Sequence, residues 1–305
     1  MIGRSHREVR TLLIHTGGIG DFLLFCPCLK RLAEDGPVEL AGLERDRLNL
    51  GVVSGLAETA HLLDDFDFAS VFNRPSPSFE SFAARFQRAI VWMQDDEGTI
   101  RKAFANAGVR EARAFPGLPP NANWTRHASE YYADCLGYTD LPPLLLPFEP
   151  DDASHDILIH PGSGGKRKNW PMDRFAVVAN ALQARGRQIG WIQGPAEEVL
   201  SIPRNGDVLR FASIVTLARQ LTAANLYIGN DSGVTHLAAA CGCRTVAIFG
   251  PTDPRVWAPR GNHVTVAASA CWPNVDEVLD VLPSALWGRM NTAANLDSEE
   301  IGYRA

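Results

Sequence analysis

The chain has 305 residues, which suits two domains of about 150 residues each, and it is 46% hydrophobic and 21% charged, as expected of a globular protein. Its 29 basic and 35 acidic side chains leave a net charge of −6, so no global basic field is available for nucleic acid and an anionic ligand must be met by a local cluster. No apolar run approaches the roughly 20 residues of a membrane span. The basic start Met1–Arg10 also lacks an apolar signal-peptide core, so a cytoplasmic protein is expected, with contact at an acidic membrane face left open.

In chain order, Thr11–His15 is an apolar strand, Gly17–Gly20 a turn and Asp21–Glu34 a helix that tolerates Pro27. Val38–Ala41, Ala69–Phe72, Ala89–Met93 and Ala112–Phe115 read as further strands, and Glu97–Ala107 and Ser129–Leu136 as helices. Leu141–Asp152 then holds four prolines and no periodicity, which marks a linker. The alternation restarts with the strand Asp156–His160, the basic loop Pro161–Lys168 and the helix Pro171–Arg185. Strands at Gln188–Gln193, Leu226–Gly229 and Arg244–Phe249 follow, with helices at Ile214–Leu221 and Val275–Leu286, and a polar, frayed tail is expected at Asn291–Ala305. Two runs of alternating strands and helices predict two doubly wound, Rossmann-like domains, 1–147 and 148–305, facing a central cleft. The six cysteines include two C-x-C pairs in apolar stretches, read as buried free thiols.

Three turns carry chemistry. In Thr16-Gly17-Gly18-Ile19-Gly20-Asp21, glycines let a substrate approach the backbone and place a carboxylate in the first helical turn. Asp21 there either takes a proton from a hydroxyl or merely complements the helix N-terminus. A dinucleotide fingerprint fits poorly, because Leu23 stands where its third glycine belongs and no clear acid ends the second strand unless Glu39 or Glu44 serves. In His160–Pro171, glycines beside Lys166, Arg167 and Lys168 suit a diphosphate, with a solvated basic loop as the lesser alternative. In Leu226–Gly242, a strand runs through Asn230-Asp231-Ser232 into a small-residue helix that Asp231 or Ser232 caps and Gly242 ends. Its unpaired N–H groups and dipole then sit where an α/β domain holds phosphate. His236 on that helix, taken alone, reads as a core histidine.

Together these segments resemble glycosyltransferase family nine, the ADP-heptose:lipopolysaccharide heptosyltransferase family. The matching motifs are Gly17-Gly18-Ile19-Gly20-Asp21 with Pro27, His160-Pro161-Gly162 with Lys168-Asn169-Trp170-Pro171, Asp231-Ser232-Gly233-Val234-Thr235-His236-Leu237-Ala238-Ala239, and Phe249–Pro254. The resemblance implies a GT-B architecture, with the acceptor on the N-terminal domain and the nucleotide sugar on the C-terminal one. By position it makes Asp21 the general base and Lys168 the lysine at the donor's phosphates or sugar. Asp231 becomes the donor-binding acid, Ser232, Gly233 and His236 the diphosphate turn, and Thr252 a neighbour of that pocket. Gly162 and Ser163 join the donor side, and Gly17, Gly18 and Gly20 the acceptor-side loop.

The implied reaction is inverting glycosyl transfer by single displacement, most simply of heptose from ADP-heptose to a lipopolysaccharide-core or related glycan. No D-x-D-like pair accompanies these turns, so no metal or other cofactor is expected beyond the nucleotide-sugar co-substrate. The expected partners are that donor and a glycan or glycolipid acceptor, with no nucleic acid and with a peripheral contact at the inner membrane face left open. Asp95-Asp96-Glu97 reads as a helix cap. Arg45, Arg47, Arg74, Arg101, Lys102 and Arg126 are scattered rather than clustered, and Glu44–Arg47 reads as a solvated helix face. An NAD-dependent oxidoreductase, a hydrolysing nucleotide-sugar epimerase and a non-catalytic GT-B sugar-binding protein are the rivals.

Overall fold

The computed structural model describes residues 9–120, 124–152, 155–194, 202–203 and 205–287. The tail expected to fray, residues 291–305, and most of the basic start lie outside the described residues. Strands β1 (Thr11–His15), β2 (Val38–Gly42), β3 (Thr59–Leu62), β4 (Arg88–Trp92) and β5 (Glu111–Phe115) form one parallel sheet in the order β3-β2-β1-β4-β5. Strands β6 (Ile157–His160), β7 (Ile189–Ile192), β8 (Asp207–Leu209), β9 (Leu226–Asn230), β10 (Thr245–Phe249) and β11 (Val264–Ala268) form a second, in the order β11-β10-β9-β6-β7-β8. In each sheet the order reverses beside the lobe's first strand, at β1/β4 and at β6/β9. Such switch points leave a crevice outside the carboxyl ends of the strands.

Helices α1 (Ile19–Ala33), α2 (Arg45–Val53), α3 (Pro77–Ala83), α4 (Thr99–Asn106) and α5 (Ala128–Leu136) accompany the first sheet. Helices α6 (Met172–Gln183), α7 (Ile214–Ala223), α8 (Gly233–Ala240), α9 (Pro254–Trp257) and α10 (Val275–Asp280) accompany the second. Central strands bury both faces, so they read as apolar runs, and alternate residues enter different cores. Leu12 and Ile14 point into an outer core of the first lobe, and Ile157 and Ile159 into an outer core of the second. Leu13, Leu158 and Tyr227 point the other way, into one apolar core shared by both lobes and built on Phe22, Phe25, Tyr132, Leu217, Leu221 and Leu237. Helices α1 and α5 from one lobe thus pack with α7 and α8 from the other.

Polar bonds also cross between the lobes. Ile214 N donates to Asp46 Oδ2 (2.8 Å), His127 Nε2 lies 2.8 Å from the Ala258 carbonyl, and Arg260 pairs with Glu130. The proline-rich stretch is held where Leu146 N donates to the Ala240 carbonyl (2.8 Å). No helix among the described residues is long and apolar enough to cross a membrane.

Several expected elements differ. Ala69–Phe72 is a 3-10 turn over Phe68–Phe72 rather than a strand: Asp67 takes a left-handed backbone (φ 50°) and its carbonyl accepts from the Ser70 hydroxyl. Helix α1 starts at Ile19, two residues before Asp21, because Gly18 serves as its N-cap. Helix α10 ends at Asp280 rather than 286, with Pro283 unable to donate beyond it. Strands β3, β8 and β11 lie at the sheet edges and are at most partly buried over most of their length, which hides them from apolar periodicity. The four C-x-C cysteines, Cys26, Cys28, Cys241 and Cys243, are buried free thiols, and burial pushes Cys28, Cys241 and Cys243 up to about 12.

Candidate active site

The turn after β1 is built by close approach. A Cβ on Gly17 would come within 2.9 Å of His15 Cε1 and 3.1 Å of Asp21 Oδ2, so only glycine fits. Gly18 has no side chain to cap α1, and Asp21 at the third helical position accepts from Gly18 N instead (2.9 Å). Helix complementation is therefore real, yet it is not the whole environment of Asp21. Burial raises its pKa, while the Gly18 bond, the Lys168 ammonium and the Arg47 guanidinium pull it down. Asp231 pushes the other way. Asp21 and Lys168, from opposite lobes, thus face one gap.

The basic loop after β6 is stitched by a residue of β9. Asn230 Oδ1 accepts from Trp170 N (2.9 Å), and Asn230 Nδ2 donates to the Pro161 carbonyl (2.7 Å). Both ends of the loop are thereby fixed against the neighbouring strand. Ser163 folds the loop on itself: its hydroxyl lies 2.8 Å from the Gly165 carbonyl and 2.6 Å from Asn169 Oδ1. Trp170 is buried and donates from Nε1 to the Pro273 carbonyl (2.9 Å). Lys168 then reaches Asp231 Oδ2 (2.8 Å). Lys166 and Arg167 point to solvent, so the solvated-loop reading holds for them.

At the start of α8, Ser232 is the cap and accepts from Thr235 N (3.4 Å). Gly242 (φ +77°) closes the helix, as its position predicts. Asp231 does not cap. Its Oδ2 accepts from the Thr252 hydroxyl (2.8 Å) and pairs with Lys168, which joins three separate turns at one carboxylate. Asp231 is 7% exposed at its side chain and Lys168 is 39% exposed, so the lysine can exchange its partner for a ligand anion while the acid stays in place. Gly233 packs on α1: a Cβ there would overlap the Ile19 methyl Cγ2. His236 lies in the same contact, with its Cδ2 3.5 Å from a Cβ built on Gly20, and is bonded to the Trp257 backbone. Burial lowers its pKa, so the imidazole is neutral. It also lines a 470 Å³ cavity with Leu23, Pro27, His127 and Leu144.

The structure thus gathers Asp21, Lys168, Asp231, Ser232, Gly233 and Thr252 around the facing strand ends, with Gly17, Gly18 and Gly20 on one side and the loop that contains Gly162 and Ser163 on the other. Asn230 and Thr235 were invisible as scaffold residues in the sequence; the Thr235 hydroxyl donates to the Asn230 carbonyl. Arg47 corrects the solvated-face reading of Glu44–Arg47, because it is 3% exposed. Arg45, its neighbour, is exposed and pairs with Asp65 (3.2 Å). Glu39, the acid a dinucleotide site would need, is spent elsewhere. It is buried near the opposite end of the sheet among Arg10 (2.6 Å), His61 (2.6 Å) and Arg85 (3.0 Å). Asp95 caps the start of α4, accepting from Ile100 N and Arg101 N.

Two Rossmann-like lobes that meet through α1 and α8, one presenting an acid and the other a cation–acid pair at a helix start, define the GT-B architecture. Residues 139–279 match the model of glycosyltransferase family 9 (heptosyltransferase). That stretch, the greater part of the second lobe, is where the chain is similar to glycosyltransferase family 9. It is 30% identical over 118 residues to lipopolysaccharide heptosyltransferase 3 of Escherichia coli, covering 35% of each chain. It is 28% identical over 178 residues to lipopolysaccharide heptosyltransferase 1 of Pseudomonas aeruginosa, covering 52% of this chain and 48% of that one. The chain therefore spans about a third to a half of the length of these curated relatives. The solved Escherichia coli ADP-heptose lipopolysaccharide heptosyltransferase II superposes with a TM-score of 0.67 at 18% identity, over 89% of this chain and 94% of that one, which shows the shared fold.

Proposed function

We propose that the protein is an inverting glycosyltransferase that moves heptose from ADP-heptose to a hydroxyl of a lipopolysaccharide-core or related cell-surface glycan. The observation that carries this reading is the meeting of Lys168, Asp231 and Thr252 at the start of α8, opposite Asp21. Asp21, in carboxylate form, takes the acceptor's O–H proton as that oxygen attacks the anomeric carbon. The bond from that carbon to the diphosphate oxygen breaks on the opposite face, and configuration inverts. Charge that develops on the leaving diphosphate is met by the Lys168 ammonium and by the free N–H groups at Ser232 and Gly233. Asp231 and Thr252 hold the lysine and the donor's hydroxyls. Ser163 and Gly162 shape the loop that presents Lys168, and His236 supports the α1–α8 contact beneath the diphosphate turn. The heptosyl donor and glycan acceptor follow from the family and from the relatives' names, and the reaction runs without a metal in this reading.

Thermal shift with ADP-, UDP-, GDP- and dTDP-sugars tests the donor: a rise with ADP-heptose alone is expected, and a rise only with another nucleotide class would overturn the donor assignment. Turnover is read as ADP release from ADP-heptose with heptose-deficient lipopolysaccharide as acceptor.

A further inference from the structure

A buried arginine lies under the turn that carries Asp21. Arg47 sits in the first turn of α2, 3% exposed. Its Nη1 donates to the Gly17 carbonyl, and its Nη2 reaches the His15 carbonyl (3.5 Å). These carbonyls lie at and just beyond the end of β1, where the ladder to β2 has stopped. Burying a guanidinium costs several kcal/mol unless its environment answers it, and Arg47 has no ion pair among the described residues. Two backbone carbonyls and the nearby charges of Asp21 and Glu44 are what answer it. The arginine is itself fixed from outside, because its neighbour Asp46 accepts from Ile214 N of the opposite lobe (2.8 Å).

The groups around Asp21 come from both lobes. Lys168 and Asp231 face it from the second lobe, Arg47 from α2, and Tyr132 from α5, where its hydroxyl donates to the Gly117 carbonyl (3.0 Å). His15 lies below Gly17, buried against Phe25 and Phe22, and burial with the Arg47 charge lowers its pKa to about 3, so it is neutral. Lys168 is already tied to Asp231 and, on the reading above, turns to the diphosphate when donor binds. Arg47 is then the one cation among these groups that stays with Asp21 throughout the reaction.

Resting on the assignment of Asp21 as base, we propose that Arg47 is a positioning residue: it clamps the Gly17–Gly18 turn from beneath, aims the Asp21 carboxylate into the cleft and keeps it ionised while Lys168 is engaged by the donor. A purely structural arginine would affect folding and leave the pH dependence of turnover alone. The test compares wild type, Arg47→Gln and Arg47→Lys by ADP release from ADP-heptose with heptose-deficient lipopolysaccharide across pH, and by calorimetry with ADP. For Arg47→Gln, kcat at neutral pH should fall roughly 10- to 100-fold, with ADP affinity within about twofold of wild type. Its acidic limb of kcat should move to higher pH, because loss of a nearby positive charge disfavours the carboxylate. Arg47→Lys keeps the charge and should restore the limb to the wild-type position. A limb unmoved in Arg47→Gln overturns the proposal. If that variant does not fold, Gly17→Ala displaces the turn without touching Arg47: a lowered kcat with a displaced limb supports the clamp, and wild-type behaviour overturns it. Turnover surviving in Asp21→Asn would sink the base assignment itself, whereas an inactive Asp21→Asn beside a normal Arg47→Gln would sink only the role of Arg47.

Discussion

The turn after β1 and the turn after β9 each stand beside the switch point of their own sheet and meet through α1 and α8, yet they treat their acids in opposite ways. In the second lobe Ser232 caps the helix, which frees Asp231 to sit outside it and bind Lys168 and Thr252. In the first lobe the cap is Gly18, which offers no oxygen, so Asp21 lies inside the helix and accepts only the Gly18 N–H, with no ion pair among the described residues. One carboxylate is held by its partners and suits a binding role. The other is desolvated, with its pKa raised, and so keeps a driving force for taking up a proton. The contrast teaches that two acids at facing strand ends are assigned different work by which residue caps the adjacent helix.

The sharpest way to break this contrast is Asp21→Asn. It should reduce kcat by at least ~100-fold while calorimetry still shows ADP-heptose binding; near-normal turnover would make the two acids equivalent after all. Next in size, Lys168→Ala should weaken ADP-heptose binding roughly 10- to 100-fold, since a charge-assisted contact is removed. Unchanged calorimetric affinity would detach the second turn from the donor. The glycines on the two sides of the α1–α8 contact should also differ. Gly233→Ala drives a methyl into Ile19 and should lower Tm by roughly 3–6 °C, as overpacking does. Gly20→Ala meets its neighbours at 3.5 Å, ordinary contact, and should shift Tm by less than about 1 °C. Equal shifts in differential scanning would refute that asymmetry.

The smallest expected effect concerns stability and pH. Because the folded-state pKa of Asp21 is raised, its contribution to stability is full below the unfolded value near 3.8 and is lost as pH rises through the folded value. At neutral pH the ionised acid therefore works against the fold. Asp21→Asn should gain roughly 1–2 °C in Tm at pH 7 and lose that gain in acid. A destabilised variant at pH 7 would show that the Gly18 bond outweighs desolvation.

Much of the site was legible because it is local. Gly17-Gly18-Ile19-Gly20-Asp21, the loop ending in Lys168 and the Asp231–Gly233 turn each follow an apolar strand, and adjacency in sequence fixes their place at strand ends. Arg47 was misread because Glu44-Arg45-Asp46-Arg47 has the charge pattern of a solvated face. The three residues after Glu44 go three ways: Arg45 to Asp65, Asp46 to the opposite lobe, and Arg47 inward. Asn230 was passed over because its bonds to Pro161 and Trp170 span about 60 to 70 positions of chain. Glu39 was offered as a possible ribose acid because only the structure shows three basic side chains closing on it.

By itself the sequence determined the two runs of parallel strands, the glycine turns between strand and helix, and which carboxylates and cations stand at strand ends. Those follow from periodicity, capping and backbone freedom, all of which act over a few residues. Only the tertiary structure decided that α1, α5, α7 and α8 share a single apolar core, that Asp231 meets Lys168 and Thr252, and that a guanidinium is buried beneath Asp21. Those depend on groups distant in the chain excluding water from one another, and the resulting desolvation and charge pairing are properties of the packed molecule.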